Sequence, residues 1–88
     1  MTDPMAALRL QFIDRCRADL QEIRRLGERA ETAEIGAIVH RLAGTAGSFG
    51  FPAISLAALE VDQKIRDSRV VSGTDMETLL ALLGELSN

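Results

Sequence analysis

The chain holds a single histidine, His40, set in a stripe of residues with almost no side chains. Helical spacing through it gives Gly36, His40, Gly44 and Gly47, with Ala33 and Ala43 alongside. Glycine inside a helix costs ~1 kcal/mol relative to alanine. Three glycines between positions 36 and 47 therefore make a poor helix, unless something large must come close to that imidazole. A neutral imidazole keeps a lone pair on one ring nitrogen near neutral pH, so it serves as a nucleophile or a metal ligand. Metal binding finds little support, because no second histidine exists and the lone Cys16 falls on an apolar helix face. A hydrolytic triad finds less, since no serine or cysteine sits in a nucleophile turn. Close packing of a neighbouring helix would also use small residues, but it would bury the His40-Arg41 pair at the crossing point. The reading that absorbs both the imidazole and the missing side chains is a nucleophile held clear for a partner.

Four amphipathic segments have to position that residue. Asp3-Pro4 predicts a helix start, a capping carboxylate followed by a proline with no amide to satisfy. Met5, Leu8, Phe12, Cys16, Leu20, Ile23 and Leu26 then recur at three- and four-residue steps as one buried face. Arg9, Arg15, Arg17, Asp19, Glu22 and Arg25 fall on the other side, and Gly27 is the expected end. The second helix is expected from Thr32 as N-cap, with Ile35, Ile38, Val39, Leu42 and Ala46 inward and Gly47, Ser48 and Gly50 loosening its far end. Phe51-Pro52 restarts the chain. The third helix runs to about Ser68. Ile54, Ala57, Ala58, Val61 and Ile65 face in, and Leu56 and Leu59 widen the apolar arc enough to suggest burial on more than one side. Val70-Val71-Ser72-Gly73 reads as a loop. Thr74-Asp75-Met76-Glu77 is a capping box that opens a last helix, with Met76, Leu79, Leu80, Leu83 and Leu86 at core spacing. Short connections between four such helices predict an all-α fold, an antiparallel up-down-up-down four-helix bundle, with residues 1–88 as a single domain.

Bulk properties agree with that class and exclude others. The chain is 88 residues long and 47% apolar, and its only aromatics are three phenylalanines, so aliphatic side chains must do the packing. A net charge of −3 speaks against nucleic acid, which requires a basic face. No apolar run approaches the roughly 20 residues that span a bilayer, and no signal peptide is visible. With one cysteine and no disulfide partner, the expectation is a soluble, monomeric, cytoplasmic protein.

The string His40-Arg41-Leu42-Ala43-Gly44-Thr45-Ala46-Gly47-Ser48-Phe49-Gly50-Phe51 resembles the phosphorylation motif of histidine-containing phosphotransfer (HPt) domains. The similarity is closest at His40, Leu42, Gly44, Ser48 and Gly50 and extends to Ile54, Ala57, Ala58 and Val61. The Phe-Gly-Phe end is also similar to the phosphotransfer domain of chemotaxis histidine kinases. The resemblance implies a four-helix bundle that carries a phosphoryl group between receiver-domain aspartates in a multistep phosphorelay. It implies partners of two kinds, response-regulator receivers and a histidine kinase or hybrid kinase. No cofactor is expected on this chain, the Mg²⁺ belonging to the receiver, and no independent catalysis.

On that reading His40 is the phosphorylated nucleophile, attacking through Nε2, and Gly44, Gly47 and Gly36 supply clearance. Arg41, Ala43, Thr45 and Ser48 are candidate phosphoryl or docking contacts. One departure stands out: where most family members carry lysine, this chain has Ala43, and Arg41 is the expected partial substitute. Asp62 lies 22 residues beyond His40, where the family often has glutamine or glutamate. It also lies four beyond Ala58, and so is a candidate to orient Nδ1. A solvated surface carboxylate is the other reading of Asp62, with Glu60 and Lys64 then the candidates for its role. Docking is expected on Arg41, Ala37, Ala43 and Gly44, with Phe12 or Arg15 of the first helix across a groove. The rival functional reading is a helical adaptor that binds receivers or kinases without being phosphorylated.

Overall fold

The structure, a computed structural model, describes residues 3–28, 32–68 and 73–86. Its elements are α1 (Ala6–Glu28), α2 (Thr32–Thr45), a single 3₁₀ turn (Ala46–Phe49), α3 (Pro52–Ser68) and α4 (Gly73–Glu85). Each helix packs on the next and α4 closes against α1, while the diagonal pairs stand apart across the core. The α2–α3 contact is the most extensive. The result is the expected antiparallel bundle, drawn out to 47 × 22 × 18 Å.

Local chemistry accounts for the start of α1. Met5 N–H donates to Asp3 Oδ1 at 2.9 Å, and Ala6 N–H donates to the Asp3 carbonyl at 3.0 Å. Two donors that the helix itself leaves orphaned are thereby satisfied. The core then follows the periodicity. Cys16, Val39, Leu42, Ala46, Ala58, Leu79 and Leu83 are fully buried, with Phe12, Leu20, Ile23, Leu26, Ile35, Ile54, Ala57, Val61 and Met76 nearly so.

Four expectations need correction. Met5 and Leu8 are 36% and 45% exposed rather than buried. Leu8 lies beside Phe12 and Phe49 near the α2–α3 turn, where no described helix closes over the start of α1. Leu56 and Leu59 are 63% and 43% exposed, so α3 is buried along the Ile54–Ala57–Ala58–Val61 line and not on a second side. Asp19, expected in solvent, is only 5% exposed. Gly27 lies inside α1, which continues through Glu28, and the only described glycine with positive φ is Gly50. Helix α2 does begin at Thr32. The loop reading of residues 70–72 and the side chains of the Thr32 cap and the Thr74-Asp75 capping box lie outside the described residues.

The end of α2 is where glycine is conformationally required. Gly50 adopts φ 89°, and Phe51 N–H reaches back to the Ala46 carbonyl at 3.0 Å. A left-handed residue that closes a helix end in this way is most easily glycine. The flanking rings then fasten the turn to α1: Phe12 stacks on Phe49 at 4.9 Å between centroids and on Phe51 at 5.6 Å. All three aromatics of the chain thus meet at one end of the bundle. That explains the Phe-Gly-Phe triplet as a hinge pinned on Phe12, and it sets the direction in which α3 returns alongside α2.

No helix among the described residues is long and apolar enough to cross a membrane.

Candidate functional site

Successive residues leave an α-helix about 100° apart, and α2 uses this to address two neighbours at once. Arg41 turns towards α1, where its Nη2 donates to Asp19 Oδ1 at 2.6 Å. His40 turns towards α3, where its Nδ1 lies 3.3 Å from Asp62 Oδ2. The two contacts lock the rotation of α2 between its neighbours.

His40 sits on the surface with 65% of its side chain exposed, while Asp62 beneath it retains only 10%. Both of the ring's polar contacts fall on Nδ1. One is with Asp62, and the other is with Arg66, whose Nη2 lies 3.1 Å away. Nε2 makes no such contact with the described residues, on a side chain that is 65% exposed. Arg66 is also tied to Asp62, Nε to Oδ2 at 3.3 Å, one helical turn along α3. These contacts bear on the ring's tautomer. With its hydrogen on Nδ1, the ring donates to the Asp62 carboxylate and Nε2 carries the free lone pair. With its hydrogen on Nε2, Nδ1 accepts from the Arg66 guanidinium. One nitrogen cannot do both, so the two neighbours favour opposite forms of the imidazole.

Around the ring lies an open depression of about 300 Å³, lined by His40, Ala43, Gly44, Leu59, Asp62, Gln63 and Arg66. A Cβ built on Gly44 would meet nothing within 4 Å. The fold does not need glycine there, and the space that a side chain would occupy lies open beside the ring. Gly36 and Gly47 differ from it. A Cβ on Gly36 would touch Ile65 at 3.6 Å, which places that glycine against α3 rather than in front of a partner. Gly47 is exposed, with Ser55 Oγ at 3.8 Å from its virtual Cβ.

The remaining candidates divide. Ala43 lines the depression with His40, whereas Arg41 is committed to Asp19 on the opposite flank. Arg41 therefore does not stand in for a lysine at position 43. Thr45 Oγ donates to the Arg41 carbonyl at 2.8 Å, so that hydroxyl is spent on its own helix. Ser48 is exposed on the 3₁₀ turn. Glu60 and Lys64 are exposed and do not line the His40 depression. Ala37 and Arg15 border the α1–α2 groove together with Asp19 and Arg41, and Phe12 is 6% exposed inside its aromatic stack. The expected docking set is thus split between two flanks of α2.

Three residues at or behind the site escaped the sequence reading. Arg66 was findable as the residue one turn beyond Asp62, on the same face of α3. Leu59, which the spacing places on a second buried side of α3, is instead exposed apolar surface at the rim. Ser55 donates through Oγ to the Ala43 carbonyl at 2.7 Å, satisfying the α2 end next to the depression, and no periodicity signals it. Among the described residues, no three His, Cys, Asp or Glu side chains gather into a metal site.

The family model described as Hpt domain matches residues 7–88 of the chain. The chain belongs to the Hpt domain family. Neither the curated proteins nor the solved structures give a match. Hpt domains are helical bundles of the phosphorelay histidine phosphotransfer family, carriers of phosphoryl groups that work with receiver domains and kinases. Within this Hpt domain, the lone histidine, the buried carboxylate behind it and the open glycine one turn on are all gathered on the α2–α3 face.

Proposed function

We propose that this protein is a phosphocarrier in which His40 accepts a phosphoryl group from the aspartyl phosphate of a receiver domain, or from a kinase, and passes it to another receiver. The observation that carries the proposal is a histidine 65% exposed whose Nδ1 is met from behind by a carboxylate only 10% exposed. In the reactive form the ring holds its hydrogen on Nδ1, directed at Asp62, and Nε2 presents the lone pair. That pair forms the N–P bond while the acyl-phosphate P–O bond breaks, its electrons leaving with the donor's aspartate carboxylate. The ring becomes cationic, and the Asp62 carboxylate stabilises the developing charge. The same charge makes the phosphorylated ring a good leaving group in the onward transfer. Such a transition state requires in-line entering and leaving atoms and charge spread over three equatorial oxygens, so the outer side of the ring must be open, as it is beside Gly44. Mg²⁺ and the acceptor aspartate belong to the receiver. Residues 1–88 act as one domain, monomeric and cytoplasmic, and their interface with a receiver is modest enough to release it.

Incubation with a phosphorylated cognate receiver is expected to transfer acid-labile, base-stable phosphate to the chain, and His40→Gln to remove all of it. Receiver binding with no label on the wild-type chain would overturn the carrier reading in favour of an adaptor.

A further inference from the structure

Resting on that reading, we infer that Arg66 is the phosphoryl-binding cation of the site and a gate on the tautomer of His40. A phosphoryl group on Nε2 brings close to two negative charges, and these need a cation or donors to receive them. Arg66 is the one cationic side chain among the described residues lining the depression beside His40. Arg41, the nearer neighbour in sequence, is held by Asp19 on the other flank. Ala43, which shares the depression, brings no charge.

The Arg66 guanidinium has both the reach and the freedom for this role. Its Nη2 already lies 3.1 Å from the ring, its Nε lies 3.3 Å from Asp62 Oδ2, and 64% of its side chain is in solvent. In the resting state the Nη2 contact with Nδ1 draws the ring hydrogen to Nε2, where it masks the nucleophilic lone pair. An arriving phosphoryl dianion competes for the same guanidinium. As Arg66 swings outward to the phosphoryl oxygens, Nδ1 loses its donor and takes up the hydrogen, which it directs at Asp62. Nε2 is then unmasked at the moment its electrophile arrives. The proton count is unchanged, because the ring stays neutral and only exchanges its N–H position through solvent. Nε2 then forms the N–P bond as the leaving group departs with the former bonding pair.

The test uses phosphoramidate, a small donor that phosphorylates histidine without a partner and, protonated on nitrogen, releases ammonia as its P–N bond breaks. Arg66→Ala is expected to slow the labelling of His40 by at least about tenfold, less than the loss of a fully buried oxyanion donor. Arg66→Lys should keep most of the rate. Ala43→Lys placed in the Arg66→Ala background should restore it, since position 43 opens on the same depression. Nitrogen-15 NMR of the resting ring should show more hydrogen on Nδ1 in Arg66→Ala than in the wild type. A wild-type chain that phosphoramidate never labels overturns the carrier reading and this inference together. Equal labelling of wild type and Arg66→Ala overturns the inference alone. So does a slow Arg66→Ala that neither lysine variant recovers, since Arg66 would then act only by holding Asp62 in place.

Discussion

Two buried carboxylates flank α2, and each meets a residue 22 positions away, yet they do different work. Asp19 on α1 is closed over: Arg41 contacts it at 2.6 Å, Arg15 lies at 3.8 Å, and its Oδ2 is buried without a hydrogen bond to the described residues. Asp62 on α3 is covered from below but opens upward, onto an imidazole and a guanidinium that are both about two-thirds in solvent. A carboxylate walled in with a permanent cation is a clamp, because neither partner can leave without abandoning a charge in a poorly solvated place. A carboxylate whose partners stand largely in solvent can hold one edge of an imidazole while leaving the rest of the ring accessible. Adjacent residues of one helix, Arg41 and His40, serve the two. The difference lies in what surrounds each pair, not in the chemistry of aspartate.

The largest expected effect comes from crowding the open side. Gly44→Phe should slow transfer from a phosphorylated receiver by about a hundredfold or more, as misplaced reacting groups do. Thermal stability should be unchanged or raised, because glycine is the poorer helix former by up to ~1 kcal/mol. Labelling by phosphoramidate should suffer far less, since that donor needs no docking. Receiver transfer at the wild-type rate would show that position 44 is not approach space.

The two carboxylates are then separated by swapping their readouts. Asp62→Ala should lower the phosphorylation rate by about 10–100-fold, the range seen when a histidine loses its orienting partner, with little change in the unfolding midpoint. Asp19→Ala should do the reverse. It should cost about 1–2 kcal/mol of stability, less than a fully buried pair because Arg41 keeps a third of its side chain in water, and leave phosphorylation within about twofold, because effects at separate sites couple only weakly. If both variants lose stability and neither loses rate, the contrast between clamp and site collapses.

The smallest effect belongs to Cys16, packed near the clamp. Burial pushes its thiol from the usual 9.0 up to about 11, the Asp19 charge adding to this and the Arg41 charge opposing it. Folding therefore favours the protonated thiol. Its contribution to stability is intact below pH 9.0 and is lost as pH rises towards about 11, because the unfolded chain ionises first. Cys16→Ala should flatten that alkaline decline in a urea titration followed across the window. In the native protein at neutral pH, Cys16 should resist iodoacetamide; rapid alkylation would show that it is not shielded as described.

Much of this is legible in the sequence alone. The core faces of α2 and α4 follow a 3.6-residue period, which only a helix with one dry side requires, so Val39, Leu42, Leu79 and Leu83 could be placed from spacing. The candidate site is marked in the sequence by omission, as glycine beside the single histidine. Asp62 was reachable through the family resemblance and the helical register of α3. Errors arose where exposure depends on what stands opposite. Met5, Leu8, Leu56 and Leu59 are as apolar as the core and sit next to it in sequence, and only the lack of a facing helix leaves them wet. Asp19 erred in the other direction, a charge drawn inward by an arginine on another helix.

Composition, periodicity and one motif were thus enough for the class of fold and the family, and they single out His40 as the candidate site, because these depend on local pattern along a single helix. Which cation stands at His40, which aspartate is the clamp, and why two phenylalanines bracket Gly50 were settled only when α1, α2 and α3 came together. Those outcomes depend on distances between residues far apart in the chain, and rotating a helix by one residue, about 100°, would have assigned Arg41 to the site and His40 to the clamp.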